Sequence, residues 1–368
     1  MKLIIQPEDG PDAILSALKG AKKSVEIAIF RFDRSDIERA LKELVRNGVK
    51  VTTLVADMNR GGKKHLRDLE TRFLQSGITV ARTANDLGRY HDKYIIIDRR
   101  VLLMLSFNFT HLDIDHSRGF GIVTKNAAIV QEAVQLFEAD CARRPYTAGR
   151  DSFVVSPANS RKVLRSFLKR AKKQLLIYDP QVSDKEMIRT LEERAKAGIE
   201  IRIVGKVSRR SSVTAKKLTR MRLHTRTIIR DGRQAFVGSQ SLRPVELDSR
   251  RELGLIVRDP KVIKRLLATF ESDWRTTNGV DKKDRAETDE LHEADKKETE
   301  KALAVLVHEL HPLSDTVAKA VKKVAAQTNG ETLPGKMVKS AVKKVAKKAA
   351  KEAMRAAARD LKKAQRRS

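Results

Sequence analysis

The chain has one cysteine, Cys141, among its 368 residues, which excludes an intrachain disulfide and leaves no cysteine cluster to hold zinc. A reducing, cytoplasmic setting is the expectation. Aromatic residues make up 4% of the sequence, with a single tryptophan, Trp274, so stacking platforms for the bases of a nucleic-acid strand are scarce. No apolar run approaches the ~20 residues that cross a bilayer. The opening MKLIIQPEDGPD turns acidic after Leu3, Ile4 and Ile5, too short for a signal-peptide core. Acid is the charge in deficit. Against 77 Lys and Arg stand 47 Asp and Glu, a net charge of +30 that draws polyanions, nucleic acid and anionic lipid headgroups alike.

What the chain does have is apolar content, 40%, sufficient for a sizeable core, and a duplicated signature. His91, Lys93, Asp98, Ser106 and Asn108 recur as His224, Arg226, Asp231, Ser239 and Ser241, each pair 133 positions apart. The repeat extends beyond this motif. Ala21-Lys22-Lys23 matches Ala171-Lys172-Lys173, and residues 47–51 match 197–201, at an offset of 150. Gly121, Phe137 and Asp140 match Gly254, Phe270 and Asp273, again at 133. The change of offset places 17 extra residues in the first half, between its second strand and its histidine.

Each half reads as strand, helix, strand, helix, strand, strand and helix. In the first, residues 24–30 are β-branched and aromatic, and residues 35–47 set Ile37, Leu41 and Leu44 at helical spacing before Gly48 as C-cap. Residues 49–55 form the next strand, and short apolar runs at 94–97 and 101–105 flank the turn Asp98-Arg99-Arg100. The fold class predicted is α/β, with mixed sheets covered by helices in two pseudo-symmetric halves, residues 1–150 and 151–278. Residues 279–368 read as a charged linker followed by a basic tail. From 336 to 368 the tail holds 13 Lys or Arg against Glu352 and Asp360, interleaved with alanine. It is predicted to be helical or disordered and to bind a polyanion.

Two histidines, two cations and two hydroxyls in one duplicated frame suit an attack on a phosphodiester that calls for no metal and no cofactor. Residues two apart in a strand share a face, so His91 projects with Lys93 and His224 with Arg226. A neutral imidazole nitrogen can attack phosphorus while the cation neutralises the non-bridging oxygens. Ser106 and Asn108, with Ser239 and Ser241, can hydrogen-bond the equatorial oxygens. Asp98 and Asp231, each followed by a polar turn, are expected to cap that turn rather than touch substrate. Cys141 matches Trp274 in the repeat and reads as a packing residue. His65, His111, His116, His292, His308 and His311 have no repeat partner and stay unassigned.

The spacing His-x-Lys, four residues, Asp, six residues, Gly-Ser-x-Asn resembles the motif of the phospholipase D superfamily across roughly residues 1 to 275. The ending Phe270-x-x-Asp273-Trp274 is similar to that of bacterial cardiolipin-synthase-type members. The resemblance implies a single site between the halves and a covalent phosphohistidine formed without metal. It also implies His91 as nucleophile, His224 as acid and base, and Lys93 and Arg226 as phosphate clamps. In that family an acidic residue after each motif orients the opposing histidine. Glu252 fits this place, but the equivalent first-half position is Gly119. Leu105 stands where the motif has glycine, Arg226 where it has lysine and Ser241 where it has asparagine.

Residues 206–222 carry seven Lys or Arg and no acid, a strip suited to a polyanion beside the site. The sequence leans to a phospholipid diester as substrate, with peripheral association at an anionic membrane. The alternatives are a metal-independent endonuclease at the nucleoid and a nucleic-acid-binding protein with a weakened site.

Overall fold

The computed structural model describes residues 1–57, 62–208 and 211–279, apart from the side chains of 62–65, 278 and 279. The linker and basic tail, Arg209, Arg210 and the side chain of His65 lie outside the described residues, as do His292, His308 and His311.

In the first half the order is β1 (Lys2–Gln6), α1 (Asp12–Lys19), β2 (Ser24–Ile29), α2 (Ser35–Arg46), β3 (Lys50–Val55), α3 (Gly62–Gln75), β4 (Thr79–Arg82), β5 (Arg89–Tyr90), β6 (Tyr94–Ile97), β7 (Val101–Leu105), α4 (His111–Asp115), β8 (Ser117–Thr124) and α5 (Ala127–Cys141). The second half repeats the plan. It runs β9 (Phe153–Ser156), α6 (Ser160–Lys169), β10 (Gln174–Val182), α7 (Lys185–Lys196), β11 (Glu200–Val207), β12 (Ala215–Leu218), β13 (Arg222–Leu223), β14 (Arg226–Arg230), β15 (Gln234–Gly238), α8 (Pro244–Asp248), β16 (Arg250–Val257), α9 (Pro260–Arg275) and β17 (Thr277–Gly279). The strands and the α2 helix predicted for the first half are present, and the surplus residues there form α3 and β4. In the second half the short strand β12 occupies the place where a helix was expected.

Local chemistry accounts for these elements. In α2, Ile37, Leu41 and Leu44 form the buried stripe while charges face water. Asn126, Asp184 and Asp259 accept first-turn amide hydrogens at the starts of α5, α7 and α9. The β6–β7 and β14–β15 hairpins turn through two positive-φ residues, Asp98 and Arg99 in one and Asp231 and Gly232 in the other, as the right-handed strand twist requires.

Each half builds a mixed sheet. The first has the order β1-β8-β7-β6-β2-β3-β4, the second β17-β12-β11-β10-β14-β15-β16 with β9 also on β16. Separate apolar clusters lie under α1, α2 and α3 in one half and under α6 and α7 in the other. A third cluster, which includes Phe120, Phe137, Phe153, Tyr178 and Phe270, draws on both halves and joins them. Among the described residues no helix is long and apolar enough to cross a membrane.

The halves also exchange strands. β5 pairs in parallel with β16 of the second half, Arg89 opposite Arg250 and Tyr90 opposite Arg251. β13 returns the exchange on β8, Arg222 opposite Ser117 and Leu223 opposite Arg118. Two buried ion pairs follow the same symmetry. Arg118 donates to Asp273 at 2.7 and 3.0 Å, and Arg251 donates to Asp140 at 2.8 and 3.0 Å.

Candidate active site

Each histidine lies just past an exchanged strand, so its backbone is tied to the opposite half. The His91 amide donates to the Arg251 carbonyl at 2.8 Å, and the His224 amide to the Arg118 carbonyl at 3.0 Å. The expectation that each histidine sits within a strand beside its cation is therefore corrected. His91 and His224 occupy extended crossings that carry the chain from one half's sheet to the other's. Lys93 and Arg226 turn back to donate to the carbonyls of His91 and His224, which fixes both cations against their own backbone. His91 and His224 are 7% and 6% exposed, and Lys93 is fully enclosed.

The acids cross the same interface. Glu252 of the second half meets His91 Nδ1 at 2.9 and 3.0 Å, as expected for the acid that orients the opposing histidine. For His224 the partner is Asp113 on α4, 3.4 Å from Nδ1, and not position 119. Gly119 has no room for an acid: a Cβ there would stand 2.8 Å from the Phe107 ring. The repeat partner of Asp113 is Glu246, again 133 positions on. Asp113 accepts from the Asn108 amide and side chain at 2.8 and 2.6 Å. Glu246 accepts from the Ser241 amide at 2.7 Å and lies 3.8 Å from Arg226. This acidic pair escaped notice in the sequence because it stands outside the motif, although the fixed offset marks it.

The two imidazoles share one electrostatic setting. Burial pushes His91 well below its usual range, and Lys93, Arg226 and His224 push it further. His224 is also driven well down by burial, with Asp113 opposing and Arg226 and Arg222 adding. Burial lowers Lys93 to about 7 against the pull of Glu252. Burial and the neighbouring Glu246 raise Glu252 to about 8, although Lys93 and Arg250 oppose them. Asp113 and Glu246 go the other way despite burial, each held to about 2. His224, Arg222 and the Asn108 amide act on Asp113, and Arg226, Arg243 and Arg250 on Glu246. The pocket thus holds neutral imidazoles among cations, the state in which a ring nitrogen keeps a lone pair.

Several sequence-predicted residues have other duties. Ser106 Oγ accepts from the Phe120 amide at 2.9 Å and Ser239 Oγ from the Leu253 amide at 3.2 Å, so these hydroxyls tie β8 and β16 to the motif strands. Asn108 is spent on Asp113, and Ser241 Oγ accepts from Arg226 Nε at 3.1 Å. Asp98 and Asp231 do not cap their own turns. Asp98 accepts the amides of Lys22, Lys23 and Ser24 at 2.6 to 3.1 Å, and Asp231 those of Lys172, Lys173 and Gln174 at 2.7 to 3.1 Å. The positive φ at each Asp aims its carboxylate at the turn that opens β2 or β10, which is why Ala-Lys-Lys belongs to the repeat.

Leu105, in glycine's place, packs over Gly121 in the core away from the histidines, where its counterpart Gly238 faces Gly254. Cys141 packs half-buried against the shared cluster, as expected, its thiol pushed up to about 12 by burial and by Asp140. In the basic strip, Arg220 is tied to Asp273 at 2.6 Å, Arg222 to Asp113 at 2.5 Å, and Lys216 lies 4.5 Å from the centre of the Trp274 ring. These three serve the framework, a duty the run of charge did not disclose. Phe30, also missed, sets its ring edge-on to His91 at 4.6 Å.

Comparison with known proteins agrees with this construction. The mitochondrial cardiolipin hydrolase of Mus musculus is 28% identical over 131 residues, 36% of this chain and 58% of that protein. The chain thus spans little more than half of that relative. Among solved structures, polyphosphate kinase from Porphyromonas gingivalis matches 73% of this chain and 49% of its own, with a TM-score of 0.62 and 20% identity. Phosphatidylserine synthase from Haemophilus influenzae matches 76% and 87%, with a TM-score of 0.56 and 12% identity. At such identities the two structures speak for the fold alone. The family model described as cardiolipin synthase, PLD-like domain, matches residues 14–141 and 164–274, both halves of the repeat, and to that family this chain belongs.

Proposed function

We propose that the chain is a phosphodiesterase of the phospholipase D type, acting on a phospholipid through a phosphohistidine on His91. The observation that carries the reading is the crossed arrangement in which Glu252 holds His91 across the interface while Asp113 stands by His224. With Nδ1–H donated to Glu252, the His91 Nε2 lone pair attacks phosphorus. The P–O bond to the leaving group breaks, and His224, which takes up a proton as the anionic diester joins Asp113 beside it, gives that proton to the leaving oxygen. His224 then takes a proton from water or an alcohol, whose oxygen displaces His91 from phosphorus. Lys93 and Arg226 neutralise the non-bridging oxygens as charge gathers there. The relatives' lipid-directed names favour a phospholipid. A second reading, a metal-independent nuclease, is favoured by the net charge of +30.

One assay separates them. Labelled cardiolipin, phosphatidylglycerol, duplex DNA and single-stranded DNA are incubated with the protein in EDTA. Lipid turnover with a trappable phosphoenzyme is expected. Cleavage of DNA alone would transfer the assignment to the nuclease, and a strict need for a divalent cation would end both.

The pH profile follows from Lys93 and Glu252. Lys93, lowered to about 7, is charged below that pH and neutral above it. With Glu252 raised to about 8, the Glu252 and His91 pair must lose a proton, which it does above that pH, before Nε2 is free. These opposed needs predict a narrow optimum of kcat/KM between the two values. Glu252→Gln removes the upper requirement and also lowers Lys93 further, so its optimum moves to the acid side while activity falls ~100-fold or more. A rate against pH for both proteins checks this, and an unmoved optimum would dismiss Glu252 as the titrating partner.

A further inference from the structure

A cavity of about 450 Å³ opens beside α6 in the second half, and Ser152, Ser166, Arg170, Arg230 and Arg258 line it. Arg226 and Arg230 stand at opposite ends of β14, roughly 13 Å apart at strand rise, so the cavity is separate from the histidine site. Arg230 is 8% exposed and stacks on the Phe167 ring, its Cζ 4.3 Å from the ring centre. Two of its nitrogens are placed by the Phe167 carbonyl at 2.9 Å and Gln234 Oε1 at 2.7 Å. Arg170 and Arg258 stand exposed at the rim.

Among the described residues none of the three forms an ion pair, and Asp151 is the one carboxylate of the lining. Burial lowers Arg230 from its ordinary value, Asp231 opposes, and Arg170 and Arg258 add to the lowering. Asp231 itself is occupied by the amides of Lys172, Lys173 and Gln174. Three guanidiniums facing one hollow repel one another, a cost that an anion between them would reverse. The fold does not impose this cluster. At the matching first-half positions stand Gly20, Ile97 and Lys125, so one cation takes the place of three.

We infer that this cavity is a binding site for a phosphomonoester, with Arg230 as its fixed floor, Arg170 and Arg258 as its movable rim, and the hydroxyls of Ser152 and Ser166 as further donors. A phosphomonoester carries close to two charges at neutral pH where a diester carries one, and guanidinium forks match its three terminal oxygens. The volume leaves room for a substituent beyond the phosphate. Such a group could arrive on a soluble molecule or on a lipid headgroup, and both present the same oxygens.

The test is calorimetric titration of the full chain with glycerol 3-phosphate, and co-sedimentation with phosphatidylcholine vesicles with and without phosphatidic acid. Because both rim arginines are exposed, the R170A/R258A variant is expected to keep the wild-type thermal midpoint. It should bind the ligand about tenfold or more weakly, since two charge-assisted contacts are gone. If the double variant unfolds, Arg170→Gln alone gives the same reading. A matching loss on phosphatidic acid vesicles assigns the lipid source, and a loss confined to glycerol 3-phosphate assigns the soluble one. Equal affinity of wild type and variant for both probes would overturn the site, whatever the histidines prove to do.

Discussion

His91→Ala should lower turnover of any diester the chain accepts by ~10⁴ to 10⁶-fold and leave no covalent phosphoenzyme to trap. The imidazole meets Glu252 through Nδ1 and the Phe30 ring edge-on, and its loss removes the nucleophile. His224→Ala is expected to behave differently. With an alkoxide leaving group it should be as slow as the first variant. With a nitrophenolate, which departs unprotonated, the phosphoenzyme should still form and then persist, because nothing activates water to release it. Rapid-quench trapping of labelled phosphate on both variants separates the roles. Phosphoenzyme in His91→Ala and none in His224→Ala would exchange them.

The largest effect on stability is expected at the buried pair between the halves. Arg118 and Asp273 are both fully enclosed, and Asp273 also accepts from Tyr178 Oη at 2.7 Å and from Arg220 at 2.6 Å. Asp273→Ala leaves the buried Arg118 guanidinium its Nη1 contacts to Glu8 and the Gln6 carbonyl but nothing at Nε and Nη2, which costs about 3 kcal/mol and lowers Tm by roughly 10 °C. Removing both partners, as in Arg118→Met with Asp273→Leu, leaves no unpaired buried charge there and should recover much of that loss. The Arg118 carbonyl accepts from the His224 and Thr225 amides, so turnover should fall with stability in the single variant. Calorimetric unfolding of the three proteins decides the matter. A loss under about 1 kcal/mol for Asp273→Ala would show that the pair is incidental to joining the halves.

Much of this was legible in the chain because duplication writes each feature twice. The motif residues and the halves follow from two constant offsets and strand or helix periodicity, whereas Glu252, whose offset partner is Gly119, is implied only by the resemblance to the family motif. What escaped was set by contacts between distant segments. The swap of β5 and β13 involves two residues each, too few to leave a periodic signal, yet it moves both histidines out of their expected strands. Asp113 and Glu246 obey the offset but lie on short helices beyond the motif. Ser106 and Ser239 were read as phosphate donors from side-chain chemistry, whereas their neighbours in the sheet claim them. A run of positive charge likewise hides which members meet buried acids, as Arg220 and Arg222 do.

The exchange of β5 and β13 also guards against a stranded half-reaction. On the proposed mechanism, a protein able to form the phosphohistidine but unable to resolve it would be spent after one turnover. Here a chain opened between its halves loses the anchor and acid of His91 and the anchor of His224 in the same movement, since the opposite half supplies all of them. The first bond to phosphorus can therefore form only in a molecule already assembled to break it.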